Sequence, residues 1–275
     1  MDRGSAMKGL PGNEIELEPE ANLIAQSIRS AVRDCNLIDP VRFKTSNPSE
    51  SLATTIRDLN IAHWLGEDRK IVGYKVGLTA KAIQAQFGVD GPAYGCLFAD
   101  MIVEDGGTIE AHVVPQLWVE AELALVLNAD IENPNPTSAD ILSAVDYGLP
   151  AIELANSRIR GWDLTLFDYL ADNGAASHLV LGKTPIDVRA CDVSSLKAAT
   201  LKNGTQVSEG TGKAVLGSPL HSLMWLAQQK VADGKPLRKG EIVMTGAMGP
   251  IVTAGSGDEI VVHVGSATPV SVSVV

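Results

Sequence analysis

The chain has 275 residues, 45% of them hydrophobic and 20% charged, with a net charge of −11. That length suits one large domain or a small one beside a larger one, and the apolar content excludes a disordered chain. The acidic balance excludes nucleic acid and anionic membrane as main partners, and no apolar run approaches the ~18 residues that span a bilayer.

Residues 1–20 contain no hydrophobic stretch of signal-peptide type and read as a flexible N-terminus or tag remnant. Residues 22–34 place Leu23, Ile24, Ile28, Ala31 and Val32 at helical spacing. Residues 49–67 repeat the pattern with Leu52, Ile56, Leu59 and Trp64, behind the start signal Asn47-Pro48-Ser49. After Lys70 the texture changes to short apolar runs separated by Gly, Pro, Asn and Asp. The runs predict strands at 71–76, 117–127, 150–155 and 179–181, and later at 241–245, 258–264 and 270–274. Thr79 is expected to cap a short helix reaching Phe87, and a second helix covers 138–147. Asn203-Gly204 predicts a hairpin turn within 196–207. Ser218-Pro219 opens a helix to Asp233 that Gly234 ends. The order is not a regular βαβα series, so the fold class is α+β. A helical N-terminal region at 21–70 precedes a β-rich body at 71–275.

Three cysteines, Cys35, Cys96 and Cys191, form no C-x-x-C pair. They read as small core residues in a reducing cytoplasm. The five histidines, His63 among them, make no metal-binding pattern. Gly210-Thr211-Gly212-Lys213 fails as a phosphate loop, because Ala214 stands where Ser or Thr would hold magnesium. Ser157 and Ser177 lack a nucleophile-elbow context.

Three places carry chemistry. Glu120 and Glu122 alternate with apolar residues along 117–127, so they share one face of a strand. Either they are two solvated carboxylates, or a divalent cation relieves their repulsion. Glu153 stands in the apolar run 149–155, where it needs a cation, a proton or a salt bridge to Arg158 or Arg160. Together the three supply an all-oxygen donor set of the kind that suits Mg2+ or Mn2+. Lys75 is a lone cation in the apolar run 71–76, either snorkelling from a sheet edge or part of a site.

GYKVGLT at 73–79, YGCLFADM at 94–101, VEAELALVL at 119–127, LPAIELANSRI at 149–159, ADN at 171–173 and TGAMGP at 245–250 follow in order. This set resembles the branch of the fumarylacetoacetate hydrolase superfamily that holds 2-keto-4-pentenoate hydratases, 2-oxohept-3-ene-1,7-dioate hydratases and 4-oxalocrotonate decarboxylases. The resemblance covers roughly residues 20 to 275. It implies a mixed β-roll or barrel-like body of the fumarylacetoacetate hydrolase C-terminal type. It also implies a Mg2+ or Mn2+ site on Glu120, Glu122 and Glu153, and Lys75 as the active-site lysine. Leu78, in the first motif, is the expected substrate contact. Asp172 of the ADN motif is the candidate for orienting water. A homo-oligomer is expected.

The implied activity is a hydratase of aromatic catabolism that adds water to a short 2-hydroxydienoic or 2-oxo-enoic acid. The alternatives are a vinylogous decarboxylase, an acylpyruvate C–C hydrolase using a base such as His63, and a non-catalytic 2-oxo-acid binding subunit. The chain departs from the branch pattern at Ala93, where hydratases carry Asp, at Ala175, where a small polar residue is usual, and at Trp118. Trp118 and Phe98 are candidates for shaping a hydrophobic tail pocket.

Overall fold

The computed structural model describes residues 14–275. The expectation for residues 1–13 lies outside the described residues. Helix α1 (Glu14–Arg33) begins well before residue 22, so helix occupies part of the stretch expected to be flexible. Helix α2 (Glu50–Gly66) starts where the sequence signals it, with the Ser49 side chain accepting the Leu52 N–H. Among the described residues no helix is long and apolar enough to cross a membrane.

The remaining elements follow in chain order. They are β1 (Ile71–Gly77), α3 (Lys81–Phe87), β2 (Ala93–Phe98), β3 (Ile102–Val103), β4 (Gly107–Ile109) and β5 (Trp118–Leu127). Then come α4 (Ser138–Ala144), β6 (Val145–Ala155), α5 (Leu166–Ala171), β7 (His178–Leu181), β8 (Lys197–Lys202) and β9 (Thr205–Thr211). The last are α6 (Pro219–Ala232), β10 (Ile242–Met244), β11 (Val252–Thr253), β12 (Glu259–Val264) and β13 (Val270–Val274). Helices and curled sheets together make the α+β class expected.

One sheet runs β2-β1-β10-β5-β6-β7-β3, with β11 also paired to β5. The other runs β4-β13-β12-β8-β9. Strand β10 lies between β1 and β5, parallel to the first and antiparallel to the second. The two sheets close on one another where β12 packs against β5 and β6. Leu123, Leu125, Ile152 and Leu154 from one sheet and Ile260 and Val262 from the other are fully buried in that core. Each such side chain contributes roughly 1.5–3 kcal/mol. A second cluster joins Ile24 and Ile28 of α1, Leu52 and Ile56 of α2, and Phe167 of α5.

Local chemistry explains most boundaries. Asn203 and Gly204 both adopt left-handed angles and turn β8 into β9. Ser218 caps α6 and Pro219 occupies its first turn. Three expectations need correction. Ala80, not Thr79, is the N-cap of α3, and it makes no side-chain cap bond. Helix α4 stops at Ala144 and β6 starts at Val145, because the strand pairs with β5 along its whole length, including Leu123 opposite Pro150. Of the cysteines only Cys96 is core; Cys35 is half-buried, and Cys191 is exposed on a loop. Strand β2 escaped the pattern because it is buried at every position and shows no alternation.

Candidate active site

The antiparallel register of β5 and β6 sets Glu120 directly opposite Glu153. Glu122 lies two residues along β5 and so on the same face. Carboxylate oxygens of the three lie within 4.8 Å of one another. Glu122 and Glu153 are buried, and Glu120 is half-buried. The Gly246 N–H donates to Glu122 Oε2 at 2.8 Å, while Glu122 Oε1 and Glu153 Oε2 are buried with no hydrogen-bond partner. Orphaned carboxylate oxygens converging on one point are costly unless a cation completes them. The three glutamates could hold a divalent ion, and an all-oxygen set suits a hard one. The solvated-pair reading of Glu120 and Glu122 is thereby excluded. So is the Glu153 bridge to arginine, since Arg158 pairs with Asp172 and Arg160 with Asp39.

Lys75 comes to the same face by register. It lies level with Met244 of β10, which in turn lies level with Ala124 of β5. Its Nζ is 2.9 Å from Glu153 Oε1 as an ion pair, outside hydrogen-bond alignment. It donates instead to Tyr169 Oη and to the Gly174 carbonyl, each at 3.0 Å. Burial alone would lower the Lys75 pKa, but Glu153, Tyr169 and Glu120 outweigh it and hold the ammonium well above its ordinary value. Burial, then Glu153, pushes Glu120 up to about 7 against the pull of Lys75. Glu122 rises well above the carboxylate range by burial and by Glu153 and Glu120. Burial also raises Tyr169 above an ordinary phenol, so its proton is held.

Of these groups Lys75, Glu120, Tyr169 and Gly174 line a cavity of about 540 Å3, with Glu122 and Glu153 buried behind Glu120 and Lys75. Leu78 is nearly buried at its wall with a left-handed φ of 57°. Gln84 Nε2 donates to the Leu78 carbonyl and fixes that turn. Trp118 also faces the cavity, stacked on Trp162 with centroids 3.6 Å apart and planes at 3°. Phe98 does not; it is core, edge-on to Trp64 and under Arg69. No described histidine lines the cavity, and His63 pairs with Glu67 on the exposed side of α2.

Asp172, the candidate for orienting water, is fully buried beside the cavity rather than on its wall. Its carboxylate accepts from Ser157 Oγ (2.8 Å), the Arg158 N–H (2.9 Å) and Arg158 Nε (2.5 Å), all buried. It anchors instead the turn Asn173-Gly174-Ala175, in which all three residues are left-handed. Asn173 holds the turn to β2 through the N–H and carbonyl of Cys96. Strain of this kind persists only where its surroundings enforce it. The turn presents the Gly174 carbonyl to Lys75. Asp172→Asn is expected to leave Arg158 uncompensated, costing about 3–5 kcal/mol. Calorimetry should show the melting temperature fall by about 6–15 °C with Mg2+ affinity retained. An unchanged melting temperature with lost turnover would return Asp172 to the chemistry.

Sequence reasoning missed Tyr169 and Trp162. Helix α5 is six residues long and has no period to read. Trp162 follows Gly161 in a pair of left-handed residues that no pattern announces. The departures Ala93 and Ala175 are buried in one cluster with Leu78 and Tyr169. A Cβ at Gly77 would strike the Tyr169 hydroxyl, so glycine there lets the ring reach Lys75.

The fumarylacetoacetate (FAA) hydrolase C-terminal family model matches residues 70–275. The chain is 41% identical over 241 residues to 2-keto-4-pentenoate hydratase 1 of Dechloromonas aromatica, covering 87% of this chain and 91% of that protein. It is 42% identical over 250 residues to 2-keto-4-pentenoate hydratase 2 of the same organism, covering 90% and 94%. A solved structure of 4-oxalocrotonate decarboxylase from Pseudomonas putida G7, complexed with magnesium and adipate, is 29% identical with a TM-score of 0.88, covering 94% of this chain and 98% of that one.

Proposed function

We infer that this chain, which belongs to the fumarylacetoacetate hydrolase family, is a divalent-metal-dependent hydro-lyase that adds water to a 2-hydroxy-2,4-dienoate. The product is a 4-hydroxy-2-oxo acid. The observation that carries the reading is the triad of Glu120, Glu122 and Glu153, with two orphaned oxygens, set beside a buried, charged Lys75 that lines a largely apolar cavity. The hydratase names of the relatives support it. The magnesium complex of the similar decarboxylase supports a divalent metal.

Glu120, Glu122 and Glu153 would hold a divalent ion such as Mg2+ or Mn2+, which would supply Lewis-acid stabilisation of developing negative charge on the substrate. The residues of the chain do the rest. Lys75, held as an ammonium, faces the same developing charge from a water-poor site, where a fixed cation acts strongly. The dienol oxygen loses a proton and C5 gains one, leaving an unsaturated ketone that is electrophilic at C4. We assign Tyr169 as the acid, because it lines the cavity, carries its proton and accepts a hydrogen bond from Lys75, which re-supplies that proton and takes up the one the dienol oxygen loses. Ala93 and Ala175 beside it offer no competing group. Water then adds OH at C4 and H at C3. Leu78 and the Gly174 turn close the walls around the reacting end.

Tyr169→Phe keeps the ring and removes the hydroxyl. It is expected to lower kcat about 100-fold, with KM and Mg2+ affinity within about twofold. Steady-state kinetics on 2-hydroxypenta-2,4-dienoate check this, and an unchanged kcat would reduce Tyr169 to packing.

A decarboxylase is the second reading, favoured by the similarity to that structure. The cavity argues for the hydratase, because it offers no second described cation for a diacid and no histidine for acylpyruvate hydrolysis. The cytoplasmic location and homo-oligomeric state belong to the same reading, and light scattering of the purified protein tests the latter. The test of the reaction is incubation of 2-hydroxypenta-2,4-dienoate with protein and Mg2+, with and without chelator, followed by NMR. Chelator-sensitive 4-hydroxy-2-oxopentanoate is expected. No product from a metal-loaded protein would overturn the reading.

A further inference from the structure

The cavity is larger and more apolar than a five-carbon acid requires. Its volume of about 540 Å3 lies in the range that encloses a drug-sized ligand. Beyond Lys75 and Glu120 its walls are Ile83, Phe87, Trp118, Trp162, Leu164 and Ile251. Lys75 is the only cation among the described residues that line it, and Glu153 already partners that charge. The other acidic residue on the wall, Glu209, is exposed and bonded to Gln206. Lys81 at the start of α3 is turned onto Gln84. A carboxylate at the far end of a substrate would therefore find no free cation on these walls and would share them with the like charge of Glu209.

The aromatic wall is built before any substrate arrives. Trp162 Nε1 donates to the Gln116 carbonyl at 2.9 Å, and Gln116 Oε1 accepts the Gly161 N–H. Gln116 Nε2 also donates to the carbonyls of Ser157 and Ile159. This clamp sets the left-handed Gly161-Trp162 pair and holds the indole flat on Trp118. A wall fixed in this way binds apolar surface with little ordering cost.

We propose that the site selects 2-hydroxy-2,4-dienoates bearing an apolar tail beyond C5 and rejects those ending in a second carboxylate, with the Trp118–Trp162 stack as the surface that reads the tail. This rests on the hydratase reading, and the experiment separates the two. The Mg2+-loaded protein is titrated with 2-oxopentanoate, 2-oxooctanoate and 2-oxohexanedioate, and turnover of 2-hydroxypenta-2,4-dienoate is assayed separately. Each buried methylene is worth up to about fourfold in affinity. Binding of 2-oxooctanoate at least tenfold tighter than 2-oxopentanoate is therefore expected, with 2-oxohexanedioate weaker than both. Trp162→Ala should shrink the octanoate-to-pentanoate ratio to below about threefold, and Trp162→Phe should keep most of it. Equal binding of the two monoacids, or tighter binding of the diacid, overturns the proposal even if hydration proceeds. Absence of hydration with the expected affinity order overturns the reaction and leaves the tail selectivity standing.

Discussion

Glu122→Gln is expected to weaken Mg2+ binding at least 100-fold and to lower kcat/KM by about 1,000-fold or more. The side chain is fully buried, one oxygen takes the Gly246 N–H, and the other faces Glu120 and Glu153 with no partner of its own. An amide keeps the shape and removes the charge. Stability supplies a second readout, with a definite sign. In the metal-free protein, burial and the neighbouring carboxylates hold Glu122 above its ordinary pKa and place Glu120 at about 7. Between about pH 4.5 and 7 the folded chain then binds more protons than the unfolded one. Stability present at the acid end of that window is lost as pH rises through it. Removing one of these acids relieves the loss. In the presence of chelator the variant is expected to melt above the parent at pH 8, with the gap narrowing at pH 5. Mg2+ at 100 times its Kd should stabilise the parent by about 2.7 kcal/mol and the variant hardly at all. Titration calorimetry and thermal denaturation measure both. Undiminished Mg2+ affinity would remove Glu122 from the ligand set.

Lys75→Met should separate charge stabilisation from metal retention. Lys75 is buried and lies against Glu153, Tyr169 and the Gly174 carbonyl. Methionine fills similar space without the ammonium. Turnover is expected to fall about 1,000-fold, since a preorganised charge facing the developing enolate is lost. Metal affinity should hold or rise, because a cation that competes for the three carboxylates has gone. The metal-free protein should become less stable, by about 3–5 kcal/mol, as Glu153 is left without its partner. Mg2+ should recover most of that loss. A variant that loses both turnover and metal would show that Lys75 merely braces the site.

Much of this centre was legible because strand chemistry is periodic. Glu120 and Glu122 sit two apart in an otherwise apolar strand, and Glu153 and Lys75 each interrupt an apolar run. Buried charges in such runs demand partners, whichever strands turn out to be neighbours. What could not be read is the register that sets Glu120 opposite Glu153, or the insertion of β10 that brings Lys75 level with Ala124. Those depend on how separate segments meet. The partners of Asp172 were hidden for the same reason. Its motif lies beside the cavity, but Ser157 and Arg158 arrive from the end of β6 and claim its carboxylate. Helices α2 and α6 were visible through the caps Ser49 and Ser218, whereas Tyr169 and Trp162 depend on a six-residue helix and a left-handed pair with no sequence rhythm.

The position of β10 bears on how the molecule is made. Lys75 and Glu120 belong to strands that are not neighbours, and the strand that joins them is Ile242–Met244. At ribosomal speed, on the order of ten seconds separates the emergence of β5 from that of its missing neighbour. Through that interval the two halves of the centre have exposed, unpaired edges, a state that invites association with other nascent chains. Contacts of such long range also make folding slow. Pulse-labelled hydrogen exchange should therefore find the amides of β1 and β5 facing β10 protected last. A chain stopped just short of residue 242 should lose the middle of its main sheet rather than its margin, and with it the assembled centre.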